Sequence, residues 1–166
     1  RHVGWILERF PEARVIHVIR DGRDAVCSLR DHPDRRWVDG RWVKVPNGRS
    51  IEAHARRWVD DVTAGIAWRG DPRYLEVRYE AMVEDPAATF ARVLAFLGEA
   101  FDPAILDVDA DVVPAGEPGR PDAAGPISAS SIGRWKRDLD ENEQGIVRRI
   151  AGETLAVLGY AERGSW

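Results

Sequence analysis

Arg20 and Ser28 are the two side chains of this 166-residue chain best spaced to hold an anion. An apolar, β-branched run, Val15-Ile16-His17-Val18-Ile19, stops at the charged turn Arg20-Asp21-Gly22-Arg23-Asp24, and Ala25, Val26, Cys27 and Ser28 then open a helix. The order is strand, turn, helix. It puts Arg20 at the carboxyl end of a strand, where open α/β sheets bind their ligands. Ser28 follows eight residues later, about one turn into the helix. A guanidinium and a hydroxyl near a helix N-terminus form a small anion site that suits a terminal phosphate. The same residues also describe a solvated charged loop followed by an ordinary helical serine.

The elements around this pair follow from spacing. Val3, Ile6, Leu7 and Phe10 recur at helical intervals, and Pro11 ends that helix. A strand over Arg14 to Ile19 and a helix over Arg23 to Arg30 come next. Residues 31–50 form a polar insertion rich in Arg and Trp, read as a functional loop or short hairpin. Ser50 caps a long helix, Ile51 to Trp68, on which Trp58 and Trp68 fall at core spacing. Arg73 to Arg78 form a second strand with Tyr79 just beyond its end. Asp85-Pro86 starts a helix that stops at Gly98, and a short helix covers Pro103 to Val108. Residues 109–130 are rich in Pro, Gly, Asp and Ala and are read as a mobile loop; a last helix spans about Asn142 to Leu158. Two strands, each followed by a helix, imply parallel βα units.

Composition narrows the class. With 44% apolar and 31% charged residues, the chain reads as one ordinary globular domain. A formal net charge of −4 argues against a general nucleic-acid binder. The lone Cys27 excludes an internal disulfide and a cysteine-rich zinc site, and fits a reducing, cytoplasmic compartment. No apolar run is long enough for a membrane span. No cluster of side chains has metal-ligand spacing.

Three blocks together resemble the sulfotransferases that use 3′-phosphoadenosine 5′-phosphosulfate. The first is Phe10-Pro11-Glu12-Ala13-Arg14 leading into residues 15–29; it is similar to the family segment in which a strand-end Arg and a Ser eight residues on hold the 3′-phosphate. Residues 78–98 look like the block in which the tyrosine after the strand lies beside the adenine. Residues 126–139 resemble the late loop that closes over the nucleotide, with Gly133-Arg134-Trp135-Lys136 at its centre. The Arg-Asp-Gly-Arg turn and the late loop lean towards the tyrosylprotein-type branch and its bacterial relatives. The resemblance implies an α/β fold, a three-layer parallel-sheet nucleotide-binding arrangement of P-loop type. It implies a nucleotide site of Arg20, Ser28, Tyr79, Ser128, Ser130, Gly133, Arg134 and Lys136, with Ser131 as a further serine of the late loop. It also implies transfer of a sulfuryl group to a hydroxyl or amine of a small-molecule, sugar or peptide acceptor, releasing adenosine 3′,5′-bisphosphate, with no metal, nucleic acid or membrane required.

Two departures stand out. Where tyrosylprotein enzymes carry another Arg, twelve residues after the strand-end Arg, this chain has His32; Arg30, Arg35 or Arg36 would have to replace it. The Gly/Ser/Thr-rich 5′-phosphosulfate loop and the catalytic base of the family precede the 3′-phosphate segment, and nothing before Arg20 matches that loop. The expectation is therefore a C-terminal portion of the fold, with the catalytic base unassigned. His2 is the titratable group in the upstream stretch, His17 reads as a packing or supporting residue in the strand, and His54 lies on the long helix without an evident partner. A non-catalytic nucleotide-binding or scaffold module, and a nucleotide kinase of related α/β fold, are the competing assignments. The insertion at 31–50, with Trp37, Trp42 and several cations, is an acceptor-site candidate or a surface excursion.

Overall fold

A computed structural model describes residues 2–106 and 129–162. Helix α1 (Val3–Arg9) leads into strand β1 (Val15–Ile19) and helix α2 (Gly22–Asp31). Strands β2 (Asp34–Val38) and β3 (Arg41–Val45) follow, then helix α3 (Ile51–Ile66) and strand β4 (Tyr74–Arg78). Helices α4 (Tyr79–Glu84) and α5 (Pro86–Leu97) come next; after the short 3₁₀ turns Pro103–Leu106 and Ala129–Ser131 come α6 (Trp135–Asp138) and α7 (Glu141–Val157). The expected helix at 103–108 is thus a 3₁₀ turn, and the loop expected at 109–130 lies outside the described residues up to 128.

Local signals explain most element ends. Ser50 Oγ accepts from Ala53 N at 3.3 Å to start α3, and Asp85 Oδ1 accepts from Ala88 N at 2.9 Å to start α5 with Pro86 at its first position. Asp140 and Glu143 form a reciprocal capping box at the start of α7. Helix α2 begins one residue earlier than its sequence suggests, because Asp21 caps it: its carboxylate accepts from Arg23 N at 2.9 Å.

β1 and β4 pair in parallel, with Val15 opposite Tyr74 and Ile19 opposite Arg78. This register aligns the two carboxyl ends, so that the next residues, Arg20 and Tyr79, leave the sheet side by side. The insertion at 31–50 is a separate antiparallel hairpin, β2 with β3, closed by Asp39 and Gly40. One side of the parallel pair faces α3, where Gly65 lies against the His17 ring. Ile16 and Val18 point the other way and are exposed.

The core lies where α3 packs on α2 and α7. Val26, Cys27, Ala55, Trp58, Val62, Val147, Ala151 and Leu155 fill it, and Ile19, Trp135 and Leu139 belong to the same cluster. Each large apolar side chain buried there contributes about 1.5–3 kcal/mol. Trp58 joins this core as its helical spacing suggests, whereas Trp68 is only half-buried and covers Gly4 of α1.

Candidate functional site

The charged turn after β1 is buried. Asp21, Arg23 and Asp24 are each less than a tenth exposed, which a solvated loop would not be. Their charges are matched locally. Arg23 bonds the Asp21 carboxylate through Nε at 2.9 Å and through Nη2 at 2.7 Å, and Nη2 also donates to the Tyr160 carbonyl at 2.7 Å. The Arg23 guanidinium lies 4.2 Å from the centre of the Trp135 ring. Gly22 sits at this turn for steric reasons: a Cβ there would meet the Trp58 indole at 2.7 Å.

Asp24 ties this turn to the distant late loop. Its two carboxylate oxygens accept from Gly133 N at 2.7 Å and Trp135 N at 3.0 Å. Gly133 adopts φ +72°, a left-handed conformation that costs glycine little, and this turns the chain so that both N–H groups reach one carboxylate. Burial pushes the Asp24 carboxyl above its ordinary pKa, and the two backbone donors pull the other way.

Three side chains converge at the aligned strand ends. The Arg20 guanidinium lies 4.9 Å from the centre of the Tyr79 ring. Its Nη2 donates to the Ser131 carbonyl, and the Tyr79 hydroxyl and Ser131 Oγ share a hydrogen bond of 3.0 Å. Trp58 Nε1 donates to the Arg20 carbonyl at 3.2 Å and anchors the turn to α3. Arg20 Nε is buried with no partner among the described residues. An unpaired buried donor on a cation is costly unless an anion completes it.

Behind these residues a polar brace holds the two strand ends together. Glu80 accepts from Asp21 N at 2.9 Å and from the Tyr160 hydroxyl at 2.8 Å. Arg78 donates to the Leu158 carbonyl and lies 4.6 Å from the centre of the Tyr160 ring. Burial raises the pKa of the Tyr160 hydroxyl, so it stays protonated and continues to donate.

The other expected residues are spread along α2 and the late loop. Ser28 is half-buried on α2, almost two turns from its start, and no hydrogen bond joins it to Arg20 among the described residues. Arg134 is bound by two carboxylates, Asp138 at 2.6 Å and Asp31. Lys136 is exposed, its Nζ 5.8 Å from the centre of the Trp135 ring. Ser130 is exposed beside Ser131, and Ser128 lies outside the described residues. Sequence reasoning singled out Ser128 and Ser130, yet Ser131 is the serine that meets Arg20 and Tyr79. It also missed Asp24, whose place in the first turn of a helix is what any dipole-matching acid would show.

The histidines fall elsewhere. His17 Nδ1 and the Tyr74 hydroxyl share a hydrogen bond of 2.6 Å on the face covered by α3. His54 is fully buried, with both ring nitrogens unpartnered among the described residues, and burial lowers its pKa. His2 borders an open groove of about 690 Å³ with Arg49, Arg56 and Arg57.

A sulfotransferase family model matches residues 1–103, more than half the chain. The chain belongs to the sulfotransferase family. Carbohydrate sulfotransferase 5 of Mus musculus is 26% identical over 163 residues, covering 89% of this chain and 41% of that protein. The chain thus spans less than half the length of that curated relative. Among solved structures, mouse sulfotransferase SULT7A1 complexed with PAP superposes with a TM-score of 0.63 at 15% identity, covering 93% of this chain and 65% of that one. Retinol dehydratase in complex with androsterone and inactive cofactor PAP gives 0.55 at 17% identity, covering 89% and 49%. These likenesses establish the α/β sulfotransferase fold expected from the three sequence blocks.

Proposed function

We propose that this chain forms the part of a sulfotransferase that grips the nucleotide of 3′-phosphoadenosine 5′-phosphosulfate. The observation that carries this reading is the convergence of Arg20, Tyr79 and Ser131 at two aligned strand ends, with Arg20 Nε left unsatisfied. A phosphate oxygen would complete that donor in a charge-assisted bond. The PAP complexed in the two superposed sulfotransferase-fold structures supports the same ligand.

When bound, the donor nucleotide supplies a sulfuryl group that passes in line to an acceptor hydroxyl or amine and leaves adenosine 3′,5′-bisphosphate. The protein residues do the holding. Arg20 takes the 3′-phosphate; Ser28, further along α2, offers a hydroxyl to the same group. Tyr79 presents its ring to the base and, through Ser131, fixes the late loop over it. Ser128, Ser130, Gly133, Arg134 and Lys136 form the remainder of that cover. The two carboxylates on Arg134 make it a brace between α2 and the loop in this arrangement, with Lys136 the more accessible cation.

The carbohydrate sulfotransferase relative supports a sugar hydroxyl as the acceptor. Among the described residues no helix is long and apolar enough to cross a membrane. A cytoplasmic location is part of the proposal; Cys27, the single cysteine, is free and buried.

Calorimetric titration of adenosine 3′,5′-bisphosphate and of adenosine 5′-monophosphate tests the reading. Wild type should prefer the bisphosphate. Arg20→Ala should weaken it by about 10-fold or more, the loss of one charge-assisted contact of roughly 1.5–3 kcal/mol, and should erase the preference. Equal bisphosphate affinity in wild type and Arg20→Ala overturns it.

A further inference from the structure

Both peptide groups that flank the Arg20 Cα are held by side chains. On the strand side, the Ile19 carbonyl accepts from the Tyr160 hydroxyl at 3.3 Å. On the turn side, the Arg20 carbonyl accepts from Trp58 Nε1 at 3.2 Å, and the Asp21 N–H donates to Glu80 Oε1 at 2.9 Å. A peptide group is planar, so fixing the group before and the group after a Cα fixes φ and ψ there, and with them the direction of the Cα–Cβ bond. Glu80 and Tyr160 act as one unit in this clamp. The Tyr160 hydroxyl carries a single hydrogen, shared between the Ile19 carbonyl and Glu80 Oε2, and the bond to Glu80 is the shorter at 2.8 Å. Glu80 thus uses one carboxylate oxygen for Asp21 and the other for Tyr160. The Arg20 guanidinium bonds elsewhere, to the Ser131 carbonyl, so both residues act on it through the backbone.

The placement of Tyr160 is built into the end of α7. Leu158 caps the helix and Gly159 turns at φ +73°. Gly159 N then bonds the Ala156 carbonyl at 3.0 Å and Tyr160 N bonds the Leu155 carbonyl at 2.9 Å, a Schellman turn that fixes the direction in which Tyr160 leaves. Arg23 holds the Tyr160 carbonyl and Arg78 lies against its ring. Packing alone would need only the ring; the hydroxyl is aimed at the residue before Arg20 and at the carboxylate that holds the residue after it. We propose that Glu80 and Tyr160 are positioning residues for the nucleotide grip: by fixing the backbone on both sides of Arg20 they aim its open Nε donor and set the preference for a 3′-phosphate. The inference rests on the assignment of Arg20 to that phosphate. A cation already held in its binding orientation loses little further freedom when the anion arrives. Without the clamp the same guanidinium would have to be ordered at each binding event, and only the 3′-phosphate would be bound less well.

Calorimetric titration of adenosine 3′,5′-bisphosphate and adenosine 5′-monophosphate tests the clamp in Tyr160→Phe, Glu80→Ala and Glu80→Gln, each alone and combined with Arg20→Ala. Tyr160→Phe keeps the ring against Arg78 and removes only the hydroxyl. It should weaken the bisphosphate by about 3- to 10-fold, the range of one net hydrogen bond, and leave the monophosphate unchanged. Glu80→Ala should do the same to at least that extent. Glu80→Gln can still accept from Asp21 N and can donate to the Tyr160 oxygen, whose hydrogen then turns to Ile19, so it should restore wild-type bisphosphate affinity. In the Arg20→Ala background Tyr160→Phe and Glu80→Ala should change neither affinity, because the group they aim is gone. Thermal unfolding checks that each variant is folded at the titration temperature; should Glu80→Ala not fold, the Tyr160→Phe cycle with Arg20→Ala decides alone. Equal losses for both ligands, the same loss with and without Arg20, or unchanged bisphosphate affinity in Tyr160→Phe overturns the inference. So does Glu80→Gln behaving like Glu80→Ala. Failure of the nucleotide reading shows separately, as unchanged bisphosphate affinity in Arg20→Ala alone.

Discussion

Asp24 and Gly133, 109 residues apart, are joined by a hydrogen bond of 2.7 Å from the Gly133 N–H to the Asp24 carboxylate. Through this bond the turn after β1 sets the position of the late loop, and with it the position of Ser131 against Arg20 and Tyr79.

Asp24→Asn replaces one acceptor with a donor that faces a backbone N–H. Urea unfolding at pH 7 should show a loss of about 1.5–3 kcal/mol. The pH dependence has a definite sign. Burial raises the folded-state pKa of Asp24 above 3.8, so the folded chain holds this proton more tightly than the unfolded one. Its contribution is greatest below pH 3.8 and declines as pH rises through the raised folded value. The stability difference, wild type minus Asp24→Asn, should therefore shrink with rising pH across that window. A difference that grows would show that Asp24 is not held in the desolvated state described here.

Tyr79 has two separable roles. Tyr79→Phe keeps the ring beneath Arg20 and loses the 3.0 Å bond to Ser131. Affinity for adenosine 3′,5′-bisphosphate should fall about 3- to 10-fold, the worth of one net hydrogen bond. Tyr79→Ala also removes the ring and should lose a further several-fold, since an Arg–aromatic contact contributes about 0.5–2 kcal/mol. Calorimetry giving one affinity for all three proteins would remove Tyr79 from the site.

Gly22→Ala tests the packing of the turn on α3. The new methyl would start 2.7 Å from the Trp58 ring, and neither the helix backbone nor a buried indole can yield easily. Overpacking of this kind costs about 1–3 kcal/mol. Thermal unfolding should shift down by several degrees; an unchanged midpoint would mean that the turn and α3 are further apart than described.

Cys27 should be inert while the chain is folded. Its thiol is fully buried and its pKa is pushed up to about 11 from an ordinary 9.0. At pH 8 its thiolate fraction is about 100-fold lower than in the unfolded chain, and alkylation by iodoacetamide should slow by at least that factor. Because the folded pKa is the higher one, the stability linked to Cys27 is present below pH 9.0 and is lost as pH rises towards 11. Alkylation at the same rate with and without denaturant would contradict the burial.

Much of the site was readable in the chain because its anchors are local. The β-branched run ending at Arg20, and the strand ending before Tyr79, each mark a strand end by composition alone, and a parallel pair needs only its register to bring the ends together. The capping residues Ser50, Asp85 and Pro86 were legible for the same reason, since a cap acts within one turn of its helix. Ser131 was not distinguishable from Ser128 and Ser130. Three serines in a row of small residues carry no periodicity, and only the short 3₁₀ turn decides which one faces the sheet. The hairpin pairing was equally hidden: Trp37 and Trp42 share a face only once residues 37 and 42 are opposite each other, and register is a property of the pair.

The sequence by itself determined the order strand, turn, helix, the family blocks and the identity of the strand-end residues. These depend on side-chain type, short-range spacing and turn chemistry, all written within a few residues. Tertiary structure alone decided that the Asp21–Asp24 turn is buried, that Asp24 carries the late loop, and that Arg20 keeps one donor open. Burial and pairing depend on what arrives from residues 131–160, and no local pattern encodes the distance between an atom and a partner more than a hundred residues away.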